Sequence, residues 1–426
     1  MPAETSSVAL LRARRFLPLF VTQFLGALND NLFKNALGVM ALFLSARYGN
    51  ELVAIGLAVF ILPYVLFSSL AGELADRTDK ARLIRLTKLW ELGLMAVGAV
   101  GFVTASLPLL MAVLFGLGVQ ATFFSPLKYG ILPDHLAGSE LLGGNGLIEA
   151  GTFIGILAGT IAGTALIRSG GGPWIVAMLG LLVAIAGLAA SWRIPPTPAA
   201  APGLRLGWNS VARTAALIRA ARGNRDVWLS ALGISWFWAI GGVVLSELPV
   251  AAKDVLGGDA GLITLLLTVF SIGVGAGSLG CARLLRGEVS PRLVPYAAFG
   301  ISAFAFDLAR AFPAAGQLTT PLDALLALVG WRILADLLLL AMCGGVFSVS
   351  LYAFIQARAE PRQRSRMIAA NNVLNAAAMV IASLAAAALA FVHVSAPSIL
   401  LLAAAANLAV AVWILRIVPG RRRRAP

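Results

Sequence analysis

Charged residues are scarce in this chain of 426 residues, and their scarcity decides the class of protein. Asp, Glu, Lys and Arg make up 12% of the sequence and hydrophobic residues 59%, whereas soluble domains carry about 25% charged residues. The apolar runs are about 20 residues or longer, which suits membrane-spanning helices rather than the alternating strands of an outer-membrane barrel. The composition therefore predicts an integral membrane protein.

Histidine, cysteine and phosphate-loop motifs are also rare or absent, and each shortage excludes a class of function. The two cysteines lie in or beside apolar runs, so no disulfide framework is implied. Glycerolipid acyltransferases use a His-x4-Asp pair, but Glu140 follows His135 at that spacing and Ser398 follows His393. No Gly-Lys dipeptide exists, so a Walker A loop is absent. We therefore expect neither an enzyme nor an ATP-driven pump, and we assign no cofactor.

Twelve apolar runs are long enough to cross a bilayer, and the cations orient them. With both termini cytoplasmic, the inner segments hold 27 of the 33 Lys and Arg residues, and Lys34 lies within the membrane. This asymmetry follows the positive-inside rule, so the net charge of +14 indicates membrane topology rather than nucleic-acid binding. The basic run Arg421–Arg424 is expected to contact anionic membrane lipids. The runs lie near 16–44, 51–72, 83–104, 107–127, 141–167, 173–193, 227–250, 260–284, 292–312, 332–357, 365–391 and 396–418.

The spacing of these runs divides the chain into three parts. Residues 1–193 and 227–426 each hold six spans, and residues 194–226 form a cytoplasmic linker. The linker begins with several prolines and continues as an amphipathic helix, which is expected to lie on the inner leaflet with Trp208 and Val211 on its apolar face. About 33 residues are too few for a soluble catalytic domain.

The two halves repeat each other at polar positions. Asn145 aligns with Asn371 and Glu149 aligns with Asn375 at one common offset. Parallel six-span repeats are typical of major facilitator transporters, whose site lies at the interface of the halves. The predicted fold is therefore an all-α, twelve-helix major facilitator fold, made of two six-helix bundles with pseudo-twofold symmetry.

The loop between the second and third spans supports that class. Its sequence from Gly72 to Arg82, GELADRTDKAR, resembles the G-x-L-A-D-R-x-G-R-[RK] loop of major facilitator transporters. In that superfamily the carboxylate caps a helix of the other half and closes the inner gate. The resemblance assigns gating roles to Asp76 and Arg77, although Asp79 replaces the usual Gly.

A polar cluster interrupts the first span. An ionised side chain at mid-bilayer costs about 2.5–3.5 kcal/mol, yet this span contains both Asp30 and Lys34. Gln23, Asp30, Asn31 and Lys34 share an arc of roughly 100° on a helix. An Asp30–Lys34 ion pair facing a neighbouring helix would explain the cluster, but we favour a helix that lines a hydrated central cavity.

Three strings resemble the bacterial lysophospholipid transporter family. They are residues 15–35, which contain the Asn-Asp-Asn cluster, Ser125–Pro133 and Asn145–Thr152. The resemblance implies a flippase of the bacterial inner membrane. It would return lysophosphatidylethanolamine and lysophosphatidylglycerol from the outer to the inner leaflet for reacylation. Some relatives are fused to an acyltransferase and an acyl-carrier-protein synthetase. This chain ends at Pro426 without either, so a separate enzyme is the expected metabolic partner.

The chemistry of a lysophospholipid selects the candidate binding residues. Lysines suit its phosphate, amides suit its glycerol hydroxyl and carboxylates suit an ethanolamine ammonium. Lys128 either snorkels to the interface or pairs with Asp30, and Lys34, Asp30 and Glu149 together would give the cavity one net negative charge. Aromatic side chains either line an acyl-chain groove or pack between helices. The candidates are Asp30, Asn31, Lys34, Lys128, Asn145, Glu149, Asn371, Asn375, Trp236 and Trp238.

The carboxylates of the spans also bear on an outer gate and on an alternative function. Glu247, near the outer end of the seventh span, is assigned to an outer gate. A proton-coupled exporter of drugs or other small amphiphiles is the alternative function, because it uses the same architecture and also needs a membrane carboxylate.

Overall fold

The computed structural model describes residues 7–44, 49–206 and 210–417, and the regular secondary structure in these ranges is entirely helical. Most of the predicted spans agree with the observed helices to within a few residues, and residues 141–167 and 260–284 agree fully. The long helices of the described ranges are α1 (Leu17–Leu44), α2 (Gly49–Arg77), α3 (Lys80–Val103), α4 (Leu107–Gly130), α5 (Leu141–Ile167), α6 (Gly172–Ser191), α7 (Arg225–Asp254), α8 (Ala260–Leu284), α9 (Val294–Ala314), α10 (Leu328–Arg358), α11 (Arg364–Phe391) and α12 (Ala396–Ile417). The shorter helices there are Ser7–Leu10, Leu132–His135, Gly138–Glu140, Ser210–Gly223, Pro291–Leu293, Pro321–Leu326 and Pro361–Gln363.

Helix α1 is the polar exception among these helices. Within the described residues, 11 helices are long and apolar enough to cross a membrane, and α1 is not among them. Its 28 residues would span the bilayer, but the cluster around Asp30 and Lys34 lowers its mean hydropathy. A helix of this kind is stable in a membrane only when its polar face is turned away from lipid.

The two halves meet through two equivalent helix pairs. Helix α5 packs against α8, and α2 packs against α11. Advancing by six helices carries α2 onto α8 and α5 onto α11, so the two interfaces are related by the sequence repeat. This arrangement is the predicted pseudo-twofold major facilitator fold.

Helices α1 and α5 approach each other through glycines. A Cβ atom added to Gly159 would lie 2.3 Å from the carbonyl oxygen of Leu28, and one added to Gly163 would lie 2.5 Å from that of Leu32. Backbone groups cannot give way as a flexible side chain does, so only glycine fits at these positions. The stripe brings the polar cluster of α1 close to α5.

Substituting one glycine of this stripe should destabilise the protein. We expect Gly159→Val to lower the free energy of unfolding by about 3 kcal/mol, because overpacking would force α1 away from α5. Thermal melting of the detergent-purified protein measures the effect. Gly93→Val is the matched control, because a Cβ at Gly93 meets no atom within 4 Å. Equal melting temperatures for the two variants would contradict the close-packing argument.

The linker helix Ser210–Gly223 lies under both halves rather than only on the membrane surface. It packs against α2, α7 and α11, and it buries Leu217 and Ala221. Val211, predicted to lie on the apolar face, is 81% exposed, because contact with the protein selects a different face of the helix. Trp208 and Arg421–Arg424 lie outside the described residues.

Candidate functional site

A cavity of about 300 Å³ lies between the halves, and α1 contributes its polar cluster to the wall. Ligand pockets are typically about 300–1,000 Å³. The charged side chains on its lining are Asp30, Lys34, Lys88 and Lys128. Its uncharged polar lining comprises Gln23, Asn31, Tyr64, Gln120, Ser125, Tyr129, Thr152, Tyr352, Asn372 and Asn375. Its larger apolar side chains are Leu57, Phe60, Ile61, Phe124, Ile156, Trp238 and Met379.

Three of the charged groups on this lining are not paired with one another. In the described part of the chain, no ion pair within 4.0 Å joins Asp30 to Lys34 or Lys128. Asp30 Oδ1 is buried and has no hydrogen-bond partner there. Lys34 Nζ lies 4.3 Å from the ring centroid of Phe60, and Lys128 Nζ lies 4.8 Å from that of Tyr129. These cation–π contacts leave the carboxylate and both ammonium groups able to bind a ligand.

Lys88 differs from the other lysines because its charge is neutralised. Its side chain is 1% exposed, and Nζ lies 2.6 Å from Glu91 Oε2. Glu91 also accepts hydrogen bonds from Gln120 (3.1 Å) and Asn29 (3.2 Å). With this pair neutral, Asp30, Lys34 and Lys128 give the lining one net positive charge. The predicted net negative charge is wrong, because Lys128 lines the cavity and Glu149 does not.

Glu149 lies behind an aromatic floor rather than on the cavity wall. It is 1% exposed, and the hydroxyl of Tyr129 donates a hydrogen bond to its Oε2 at 3.1 Å. The rings of Tyr129 and Tyr352, one from each half, stack with centroids 4.4 Å apart. The indole N–H of Trp238 donates to the Tyr352 hydroxyl at 3.3 Å. Tyr129 and Tyr352 both line the cavity, so their stacked rings separate Glu149 from it.

The candidate asparagines are divided between the cavity and its surroundings. Asn31 and Asn375 line it. Asn371 does not line it and is fully buried. Asn145 also lies outside the lining and forms an amide pair across the halves with Gln356, with N–O distances of 2.7 and 3.0 Å.

The two candidate tryptophans also separate. Trp238 lines the cavity and stacks on Phe153, with centroids 6.3 Å apart. Trp236 does not line it, and its indole N–H donates to Asn407 Oδ1 at 2.9 Å within the second half. The two tryptophans are two positions apart on α7, so their side chains project in nearly opposite directions.

The cytoplasmic gate contains the predicted carboxylate contact. Asp76 is fully buried and accepts hydrogen bonds from the backbone N–H of Ser365 at 3.0 Å and of Arg366 at 3.2 Å. Arg366 Nε also donates to it at 3.2 Å. A carboxylate at the first turn of α11 satisfies free N–H groups and interacts favourably with the helix dipole. Arg77 is exposed and forms no ion pair with the residues described here.

Asp79, which replaces the usual glycine of this loop, has a role of its own. Its Oδ1 accepts the backbone N–H of Arg82 at 2.9 Å and caps α3. Its Oδ2 accepts the backbone N–H of Thr197 at 3.1 Å. Asp79 therefore connects the linker, residues 194–226, to the loop between α2 and α3.

Further polar contacts close the same side of the protein. Asp134 contacts Lys80 of its own half at 2.9 Å and Arg364 of the other half at 3.3 Å. Throughout the described ranges, the hydrogen bonds and ion pairs that join α1–α6 to α7–α12 lie at this cytoplasmic side. Glu247 is 7% exposed and forms no ion pair with a described residue. The structure is therefore closed towards the cytoplasm.

Several residues of the site were not predicted from the sequence. Tyr129 and Tyr352 occupy equivalent positions of the repeat, so the alignment of the halves contained a signal for them. Asn372 lines the cavity beside the candidate Asn371 and accepts a hydrogen bond from Ser125 at 3.2 Å. Gln356 stands in a stretch of apolar residues, and no motif singled it out.

Comparison with known proteins identifies the family. Residues 19–333 match the Major Facilitator Superfamily model. The chain is 32% identical over 349 residues to "Lysophospholipid transporter LplT" of Escherichia coli O1:K1 / APEC, covering 80% of this chain and 79% of that protein. Over 355 residues it is also 32% identical to the Salmonella gallinarum protein of the same name, covering 81% of this chain and 80% of the relative.

Solved structures agree on the fold. The human organic anion transporter MFSD10 (TETRAN) superposes with a TM-score of 0.76 at 15% identity, covering 97% of this chain and 100% of that one. A bacterial homologue of the iron transporter ferroportin, in an outward-facing state, gives 0.69 at 14% identity, covering 95% and 99%. The long match to the LplT proteins confirms the resemblance seen in the sequence. The chain belongs to the lysophospholipid transporter LplT family of the major facilitator superfamily, and it is a multi-pass membrane transporter rather than an enzyme.

Proposed function

We propose that this protein moves lysophospholipids from the outer to the inner leaflet of the bacterial inner membrane for reacylation. Lysophosphatidylethanolamine and lysophosphatidylglycerol are the proposed substrates. The relatives named above are lysophospholipid transporters. The observation that carries the proposal is the set of three charges, Asp30, Lys34 and Lys128, which line one cavity without pairing with one another.

The charged lining matches the two parts of a zwitterionic head group. Lys34 and Lys128 supply ammonium donors for the phosphate, and Asp30 supplies the carboxylate for an ethanolamine ammonium. Asn31 and Asn375 add amides for the glycerol hydroxyl. Bringing a phosphate into a low-dielectric site is favourable only where such partners replace water.

The remaining wall suits a single acyl chain. Leu57 and Ile61 of α2 and Met379 of α11 line the cavity on the side where these two helices meet. Leu57 is 52% exposed. An acyl chain beside these residues could remain between α2 and α11 or extend into lipid, while the head group stays with the charges.

Transport then requires the two halves to alternate. In this proposal, residues 1–193 and 227–426 rock about the cavity and the linker 194–226 joins them. Opening towards the cytoplasm breaks the Asp76 cap, the Asp134–Arg364 bridge and the stacked tyrosines.

Two of the sequence-based role assignments change in this mechanism. Asn145 becomes a gating residue, because its amide is already paired with Gln356 across the halves. Glu149 becomes a positioning residue that orients Tyr129 in the cavity floor. Glu247 remains a candidate for the outer gate, and Arg77 for the inner gate.

Replacing Asp30 tests the assignment of the head group. We expect Asp30→Asn to lower the uptake of labelled lysophosphatidylethanolamine by about tenfold or more, because a charge-assisted contact contributes about 1.5–3 kcal/mol. Uptake of lysophosphatidylglycerol, which has no ammonium, should fall much less. Spheroplasts that lack their own transporter provide the assay. Asp254→Asn, an exposed carboxylate at the end of α7, is the matched control.

The same assay separates the proposed function from its alternative. If the unmodified protein took up neither lipid above background and instead gave strong drug resistance, a proton-coupled exporter of amphiphiles would be favoured. If Asp30→Asn lowered the uptake of both lipids equally, the protein would still be a lysophospholipid transporter, but Asp30 would not be the partner of the ethanolamine ammonium. A separate acyltransferase that consumes the product is the proposed metabolic partner.

A further inference from the structure

A second crevice, of about 570 Å³, lies at the cytoplasmic end of the second half. The beginnings of α7 and α9 and the ends of α10 and α12 form its walls, and it shares no lining residue with the central cavity. All four of these helix ends are cytoplasmic in the positive-inside topology. The crevice is therefore level with the inner leaflet.

The interior of this crevice is apolar. Leu229, Leu232, Phe354 and Val410 line it. Trp236 also lines it, and since its indole N–H is bonded to Asn407, only its apolar ring is left to face a ligand. Such a surface at the depth of the acyl chains favours a hydrocarbon ligand over water.

The mouth of the crevice is cationic. Arg225, Arg292 and Arg358 line it with Asp226 and Glu288, which gives one net positive charge. Arg358 is 3.4 Å from Asp226 and Arg292 is 3.6 Å from Glu288, and the side chains in both pairs are 45–66% exposed. Such exposed pairs contribute about 0–1 kcal/mol, so a phosphate can displace them. Arg225 has no ion-pair partner within 4.0 Å in the described ranges.

The first half does not repeat this crevice. Its corresponding end is covered by the linker, where Ile194 is 1% exposed and Thr197 is 2% exposed. Arg85 donates to the carbonyl of Ile194 at 3.0 Å, and Thr197 Oγ1 lies 3.0 Å from His135 Nε2. The open crevice is therefore a property of the second half rather than a general consequence of the fold.

We infer that this crevice binds an anionic phospholipid of the cytoplasmic leaflet. An acyl chain packs against Leu229, Trp236 and Phe354, and the head-group phosphate is held among Arg225, Arg292 and Arg358. Arginine pairs with phosphate through two parallel hydrogen bonds, and basic pockets between spans on the cytoplasmic side suit anionic head groups. This site is separate from the transport cavity, so the inference does not depend on the proposed substrate.

Native mass spectrometry of the full-length protein with added phosphatidylglycerol or phosphatidylcholine tests the site. We expect phosphatidylglycerol to be retained preferentially. The triple variant Arg225→Gln, Arg292→Gln, Arg358→Gln should weaken its binding by about tenfold or more. The matched control changes three exposed arginines of the same membrane side, Arg12, Arg205 and Arg219, to Gln. It should retain the lipid as the unmodified protein does.

A filling variant keeps the inference testable if the triple variant fails to fold. Leu229→Trp should reduce retention while leaving every charge in place. Equal loss in the triple variant and its control, or unchanged retention in both the triple and the filling variants, would refute the site. Retention of lysophosphatidylglycerol but not of phosphatidylglycerol would also overturn it. So would a gain of lipid on deletion of residues 418–426, since that would identify the tail as the occupant.

Discussion

Replacing Lys128 by Gln should lower the uptake of lysophosphatidylglycerol by about 10- to 100-fold. This is the largest transport defect that we expect from replacing a single residue of the cavity. Lys128 Nζ lines the cavity and contacts the Tyr129 ring, but it has no ion-pair partner within 4.0 Å in the described part of the chain. Its charge is therefore available to the phosphate, and a charge-assisted hydrogen bond contributes about 1.5–3 kcal/mol. Initial uptake rates in spheroplasts measure the loss.

The control for this experiment is Lys253→Gln. Lys253 is an exposed lysine near the end of α7, away from the cavity. The Lys253→Gln variant loses the same charge and should transport lysophosphatidylglycerol at the unmodified rate. If Lys128→Gln took up the lipid at the unmodified rate, Lys128 would be a snorkelling residue with no part in binding. Both phosphate-bearing substrates should be affected, in contrast to the selective effect expected at Asp30.

Replacing Asp76 by Asn should shift the protein away from its cytoplasm-closed state. The carboxylate of Asp76 accepts three hydrogen bonds from Ser365 and Arg366 of the other half. An amide keeps one acceptor oxygen but loses the charge and presents its own N–H₂ to the same donors. A loss of about 2–3 kcal/mol would change the ratio of closed to open states by about 30- to 150-fold.

Cysteine accessibility measures this shift. A cysteine at Ser125, which lines the cavity, is introduced after Cys281 and Cys343 are replaced. Alkylation by an impermeant reagent from the cytoplasmic side should be at least about tenfold faster with Asp76→Asn. Asp259→Asn is the matched control, because Asp259 caps α8 at the opposite side. Equal alkylation rates in the two backgrounds would show that the Asp76 contact does not hold the gate closed.

Much of the fold could be predicted from the sequence because a bilayer imposes strong constraints on length and polarity. A span needs about 20 apolar residues, so α5 and α8 were located to the residue. The predicted ends of helices that continue beyond the hydrocarbon core were less accurate. Helix α2 continues to Arg77, beyond the predicted end of its apolar run at residue 72, because its last turns lie among the gate contacts.

The predicted contacts of the site were less accurate than its predicted location. The polar face of α1 does line a cavity, as expected, and Asp76 does meet the other half. The Asp30–Lys128 pair is not formed in this structure, and Asn145, Glu149, Asn371 and Trp236 lie outside the cavity lining. A helical wheel fixes the direction of each side chain on its own helix but not which neighbour occupies that direction.

Membrane insertion, cation topology, the repeat and the family were determined by the sequence itself, because hydropathy, charge distribution and motifs are properties of local segments. The tertiary structure alone decided which charges share the cavity and which are neutralised. Glu91, which neutralises Lys88, accepts a hydrogen bond from Asn29 at a distance of 62 positions along the chain. Asn145 meets a glutamine 211 positions away. Such contacts depend on how separate helices pack, and no local pattern in either segment specifies its partner.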